Sequence, residues 1–188
     1  MNNRLMDVIK EHAPDSWDFL SKAVSSGLNY NILEVNTNSR EFLHVIADLR
    51  KHDEIFEVKW VRRIQNLSMY GRYALRHQQL MVRNRFNPAN AKEEIRYACI
   101  HESKIDSLAQ RNLDARYLAV ENFENRFNKS ELFTNVLSAI REMTSNDSNW
   151  VLVMARVTTE GGKIVSDSEI YPEYVLKLKM KDVSLLWG

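Results

Sequence analysis

Hydrophobic and polar positions repeat with two different periods along this chain, and the switches between them mark its elements. Leu5, Val8 and Ile9 recur at helical spacing, and Pro14 ends that short helix. Asp15-Ser16-Trp17 follows as a loop, and Leu28 to Val35 alternates weakly as a strand. Asn38 with Glu41 three residues on forms a capping box, ahead of a helical face of Phe42, Val45, Ile46 and Leu49. Phe56, Val58 and Trp60 alternate with Glu57, Lys59 and Val61, so Phe56 to Ile64 is a strand whose large apolar groups, Trp60 and Ile64 included, face a core.

Ser68 caps a longer helix whose inner face is Tyr70, Tyr73, Ala74, His77 and Met81, which makes His77 a packed histidine rather than a ligand. Asn87-Pro88-Ala89-Asn90 is a turn. Ile95 to Ile100 is a short strand. Ser103 caps a helix with Ile105, Leu108 and Ala109 inward and Asn112 at its stop. Asn128 and Glu131 form another capping box before Leu132, Phe133, Val136, Leu137 and Ile140. Trp150 to Val157 is an apolar strand, Gly161-Gly162 a turn, and Tyr174 to Leu178 a closing strand. Helices first, then late strands paired in the core, predict one mixed α+β domain.

Composition narrows the setting. At 188 residues and 44% apolar, the chain can bury a core of its own. No stretch approaches the roughly 18 to 20 apolar residues of a membrane span. The single cysteine, Cys99, precludes an internal disulfide and suits a reducing compartment, so a nuclear or cytoplasmic location is expected. The net charge is only +1, yet no Asp or Glu occurs from Lys59 to Lys92, a window holding eight Lys and Arg residues. Arg72, Arg76, Arg83 and Arg85 in this window are the candidate contacts for an acidic partner or RNA, unless acids elsewhere neutralise them within the fold.

Other chemistries lack their residues. Cys99 and His101 have no second Cys or His pair at zinc spacing, and nothing supplies an oxyanion hole for a Cys99 nucleophile. No phosphate-binding glycine loop is present.

Several segments, taken in order, resemble the catalytic domain of the poly(ADP-ribose) polymerase family, in the mono-ADP-ribosyltransferase branch that includes the zinc-finger antiviral protein. Trp17 matches the start of that pattern and Arg63-Ile64-Gln65-Asn66 its "R-I/V-Q-N" strand. Met81 matches the helix that follows, and Tyr171-Pro172-Glu173-Tyr174 the late "Y-P-E-Y". The resemblance spans about residues 17–179 and implies an ADP-ribosyltransferase-like fold with mixed, mostly antiparallel sheets and flanking helices, as one domain (1–188) of a longer protein.

The same resemblance implies a degenerate site. The family's "L-F-H-G-T" falls on Arg96-Tyr97-Ala98-Cys99-Ile100, so Ala98 replaces the ribose-binding His and Cys99 the Gly. Arg126 stands where a Tyr stacks on nicotinamide, and the third triad position falls near Gly161 or Gly162. No glycine lies between Gly71 and Gly161, although loops that approach a dinucleotide closely need glycine. The expectation is a pseudoenzyme without NAD or other cofactor, acting as a protein–protein or regulatory module in gene silencing or antiviral RNA control. Alternatives are an RNA-associated module built on the basic segment, and a divergent active mono-ADP-ribosyltransferase using His101.

Overall fold

Asn66 divides the first long strand from the first long helix, and its side chain does both jobs. Its Oδ1 accepts the Met69 N–H (3.0 Å), capping the helix, while its Nδ2 donates to the Ala109 carbonyl (2.8 Å). The cap is thus Asn66, two residues before the expected Ser68. The computed structural model describes Trp17 and residues 30–47, 49–52, 55–87, 90–113, 132–142, 149–164 and 166–181. The expected helix over Leu5–Ile9, the Pro88-Ala89 turn centre, the Asn128/Glu131 capping box and Arg126 lie outside these residues.

The described elements are β1 (Tyr30–Glu34), α1 (Arg40–Val45), β2 (Phe56–Asn66), α2 (Leu67–Arg83), β3 (Ala91–His101), α3 (Ile105–Arg111), α4 (Val136–Glu142), β4 (Trp150–Glu160) and β5 (Ile170–Met180). The five strands form one antiparallel sheet in the order β1-β2-β5-β4-β3. The fold is therefore mixed α+β, with the last described strand at the sheet's centre. Strands β3, β4 and β5 all run longer than the alternating pattern indicated, β3 and β4 through polar ends that continue the ladder and β5 mainly through the buried Ile170–Glu173. No helix among the described residues is long and apolar enough to cross a membrane.

One face of the sheet packs against α1 and α4 through Phe42, Val45, Val61, Tyr97, Cys99, Ala139, Leu152 and Leu176. The other packs against α3 through Ile64, Ala98, Ile105, Leu108, Val151, Val153 and Val175. A smaller cluster of Trp17, Met69, Tyr73 and Tyr171 lies under α2.

A bulge in β2 sorts its side chains between these faces. Val58 lies opposite Leu178 and Trp60 opposite Lys177, leaving Lys59 as the extra residue. Phe56, Val58 and Val61 consequently share the first cluster, while Trp60 and Ile64 turn to the second. Ile64 is 0% exposed, but Trp60 is only half-buried and carries the Arg62 guanidinium 4.1 Å from its ring centroid. The expectation that both face a core alike is corrected by that extra residue.

Three other local expectations shift. Ser39, not Asn38, caps α1 by accepting the Phe42 N–H (3.1 Å), and Glu41 pairs with Arg63 instead of closing a box. Ser103 sits inside a short turn (Glu102–Lys104) before α3, and no side chain caps that helix. Leu132 and Phe133 precede α4 rather than joining it, and Phe133 exchanges backbone hydrogen bonds with Tyr97 (2.8 Å each way) on the β3 edge. Asn112 does stop α3. Its φ of 77° reverses the chain, and its Nδ2 donates to the Asp167 and Ile170 carbonyls (2.7 and 2.9 Å).

Candidate functional site

Ala98 lies mid-strand in β3, 4% exposed, in the apolar cluster with Ile100, Ile105, Leu108, Val151 and Val153. Cys99 points to the opposite face and is buried with Tyr97 and Met154, outside any disulfide. Ala98 and Cys99, the neighbouring positions expected to replace a histidine and a glycine, are therefore packed on opposite sides of the sheet. His101 ends the strand, with its Nδ1 2.8 Å from the Ser103 hydroxyl and its ring edge-on to Trp150.

Gly161 is far from Ala98. It follows Glu160, which pairs with Ala91, seven ladder positions from Ala98, or about 23 Å along the strand. Gly161 and Gly162 have φ of 57° and 78°, as their turn requires, and a Cβ on either would meet open space. The structure does not bring Ala98 and Gly161 together.

The Arg63-Ile64-Gln65-Asn66 and Tyr171-Pro172-Glu173-Tyr174 segments meet in the sheet. Arg63 lies opposite Tyr174 in the β2–β5 ladder. The Tyr171 hydroxyl donates to the Ile64 carbonyl (2.7 Å), and Glu41 accepts from both Arg63 Nη1 (2.7 Å) and the Tyr174 hydroxyl (3.0 Å). Pro172 sits in a central strand, where a missing N–H is normally excluded, because β5 bulges there. Met154 faces Tyr174 and Ala155 faces Pro172, which leaves Glu173 as the extra residue. Glu173 then takes a forked pair of bonds from Arg156 (2.9 Å from Nη2 to Oε1, 3.2 Å from Nε to Oε2). Arg63, Ile64, Gln65 and Glu173 are buried, so this motif pair knits the sheet.

Beside it, under α2, runs a polar chain. Tyr73 donates to Glu93 (2.5 Å) and accepts from Thr158 (3.3 Å), and Thr158 meets His77 Nδ1 (2.9 Å). Burial, then the Glu93 carboxylate, pushes the Tyr73 phenol well above its ordinary range. The Arg156 guanidinium is held charged, because Glu173 and Glu93 outweigh its burial. His77 packs against Tyr73 in this chain, as its place on the helical stripe indicated.

The basic segment divides. Lys59 pairs with Glu57, Lys92 with Glu94, and Arg63 with Glu41. Arg76 is directed at Glu169, a buried carboxylate, through Nε (3.0 Å) and Nη2 (2.7 Å). Arg83 only grazes Glu160 at 3.6 Å and stays largely in water, and Arg72 and Arg85 are exposed.

The buried face of α2 is Met69, Tyr73 and Leu80, with Tyr70, Ala74, His77 and Met81 only half-buried. The opposite face exposes Ser68, Arg72, Leu75, Gln78, Gln79, Val82 and Arg83. Leu75 is 58% and Val82 57% exposed, and they line a shallow groove of about 390 Å³ with Gln78, Gln79 and Arg83. Phe86, three residues past the helix end, is 64% exposed. Arg85 and Phe86 both adopt positive φ (52° and 55°), a rare choice for a bulky side chain. This second apolar line is written in the sequence as Leu75 and Val82, seven apart, beside the larger aromatic stripe of Tyr70, Tyr73 and His77.

No protein-family model matches the chain, and no curated protein matches its sequence.

Proposed function

We propose that this chain is a catalytically inactive, ADP-ribosyltransferase-like domain that works as a protein–protein interaction or regulatory module. The carrying observation is the filled position at Ala98. Where the family resemblance places a histidine facing a dinucleotide, a methyl group packs among Ile105, Leu108 and Val153. Binding there requires opening a close-packed core. The gene-silencing or antiviral setting rests on the resemblance alone.

NAD settles this reading experimentally. A ligand at 100 times its Kd stabilises the native state by about 2.7 kcal/mol. Millimolar NAD is expected to leave the melting temperature unchanged, and labelled NAD to transfer no ADP-ribose. A shift of several degrees, or transfer lost in His101→Ala, refutes the reading. Capture from cell extract, with and without nuclease, then separates protein partners from RNA-bridged ones.

The exposed Arg72, Arg83 and Arg85 support RNA association as a second reading. If they contact phosphates, affinity falls with salt at a log–log slope of roughly −0.7 per contact on single strands.

A further inference from the structure

We infer that the solvent face of α2 is a docking ridge for an acidic amphipathic helix. The inference rests on the interaction-module reading and names the chemistry of the partner.

Three observations meet on this face. Leu75 and Val82 are more than half exposed, one heptad apart, with Gln78 and Gln79 between them. That spacing presents an apolar seam to a second helix, which covers positions at i, i+3, i+4 and i+7. Among the described residues of α2 and the turn after it, every fully exposed charge is positive: Arg72 and Arg83 on the helix and Arg85 just beyond it. Glu160 lies 3.6 Å from Arg83, in a contact too exposed to hold it, and Asp167 lines a small pocket with Arg72 on the helix's first turns. The chain also keeps Phe86 in solvent at an unfavourable φ, fixed by its N–H donating to the Met81 carbonyl (2.7 Å).

Charge decides among the occupants. A second copy of the chain pairing by this face would set Arg72 and Arg83 beside the same arginines of its twin, which like-charge repulsion opposes. An RNA backbone would satisfy the arginines but leave Leu75 and Val82 against a polar chain. A helix with leucines along its seam and Glu or Asp on its flanks satisfies both.

The test uses the full chain and two labelled synthetic helical peptides. Both carry leucine at the two seam positions of every heptad; one has Glu at the flanks, its twin Lys. By fluorescence anisotropy at low salt the Glu peptide is expected to bind saturably and the Lys peptide not. Leu75→Glu with Val82→Glu should weaken binding at least about tenfold, since buried apolar anchors carry most of a helix–groove affinity. Both positions are exposed, so circular dichroism and melting temperature should be unchanged. Reversing Arg72, Arg83 and Arg85 to Glu should switch preference to the Lys peptide.

Failure of the Glu peptide to bind, or equal binding of both peptides, overturns the inference. So does binding that survives the Leu75/Val82 changes. Self-association in sedimentation that those changes abolish assigns the face to a second copy instead. Competition by single-stranded RNA that is blind to them assigns it to nucleic acid. If extract partners are still captured by the Leu75/Val82 variant, this surface falls and the interaction-module reading stands. An NAD-dependent stability shift removes that reading while leaving the peptide result to be judged alone.

Discussion

Raising the pH should unfold this chain steeply, because three tyrosines are built to stay protonated. Tyr73 donates to the Glu93 carboxylate, Tyr174 to the Glu41 carboxylate, and Tyr171 to the Ile64 carbonyl. Burial is the largest cause raising each phenol, and neighbouring carboxylates add to it: Glu93 at Tyr73, Glu173 at Tyr171, and Glu173 with Glu41 at Tyr174. In the unfolded chain a tyrosine ionises near about pH 10. The folded values lie higher, so the unfolded state loses these protons first. The stabilisation is fully present below about pH 10 and disappears as pH rises toward the folded values. Each proton contributes about 1.4 kcal/mol per pH unit, so three give a slope of about −4 kcal/mol per unit. By about pH 11.5 each has cost about 2 kcal/mol, about 6 in all, comparable to the roughly 5–15 kcal/mol that holds a typical domain together. Denaturant unfolding followed by circular dichroism across this range measures the slope, and tyrosinate absorbance reports the ionisation. Tyr73→Phe, Tyr171→Phe and Tyr174→Phe should each reduce the slope by about one third. A chain that stays folded while its tyrosines all ionise together near about pH 10 refutes the argument, as does a slope that the three variants leave untouched.

Truncating Ile64, fully buried, to Ala should cost about 2–5 kcal/mol in chemical denaturation. Trp60→Ala should cost clearly less, about 1–2 kcal/mol, because its side chain is only partly buried; equal losses would place Trp60 in the core. Arg76→Ala should lower stability by about 1–3 kcal/mol by leaving the Glu169 carboxylate without its forked donor, discounted from a fully buried pair because Arg76 is 29% exposed. Arg76→Lys should recover only part, since an ammonium does not supply both the Nε and Nη2 contacts; full recovery would reduce the contact to a simple charge pair.

The strands and the helix order were legible in the sequence because large apolar residues mark both. Ile64, Val153 and Leu176 sit where alternation put them. The caps slipped by one or two residues because Asn38 and Ser39, or Asn66 and Ser68, offer similar side-chain oxygens, and only long-range contacts choose between them. Asn66 wins because its amide also reaches Ala109. The Lys59 bulge was invisible, since an unpaired residue has no pattern of its own. Residue types alone gave no geometry for the expected degenerate positions: Ala98 and Cys99 lie on opposite faces of the sheet. The distance between Ala98 and Gly161 follows from strand register, which is a property of the whole sheet. The exposure of Leu75 and Val82 is not legible in the sequence for a physical reason: α2 has apolar residues on two sides, and periodicity alone does not say which side a sheet will cover.

The central place of β5 has a consequence for how the chain is made. Until residues 170–180 emerge, β2 and β4 each lack one neighbour, and the β1–β2 and β3–β4 pairs have nothing between them. At a synthesis rate of about 5–20 residues per second, those open edges stay exposed on the ribosome for seconds. Native assembly therefore waits on β5 and is a nearly all-at-once event governed by it. A nascent chain stalled before Ile170 is a natural client for chaperones, and a nonsense mutation upstream of that point yields sticky half-sheets rather than a smaller working domain.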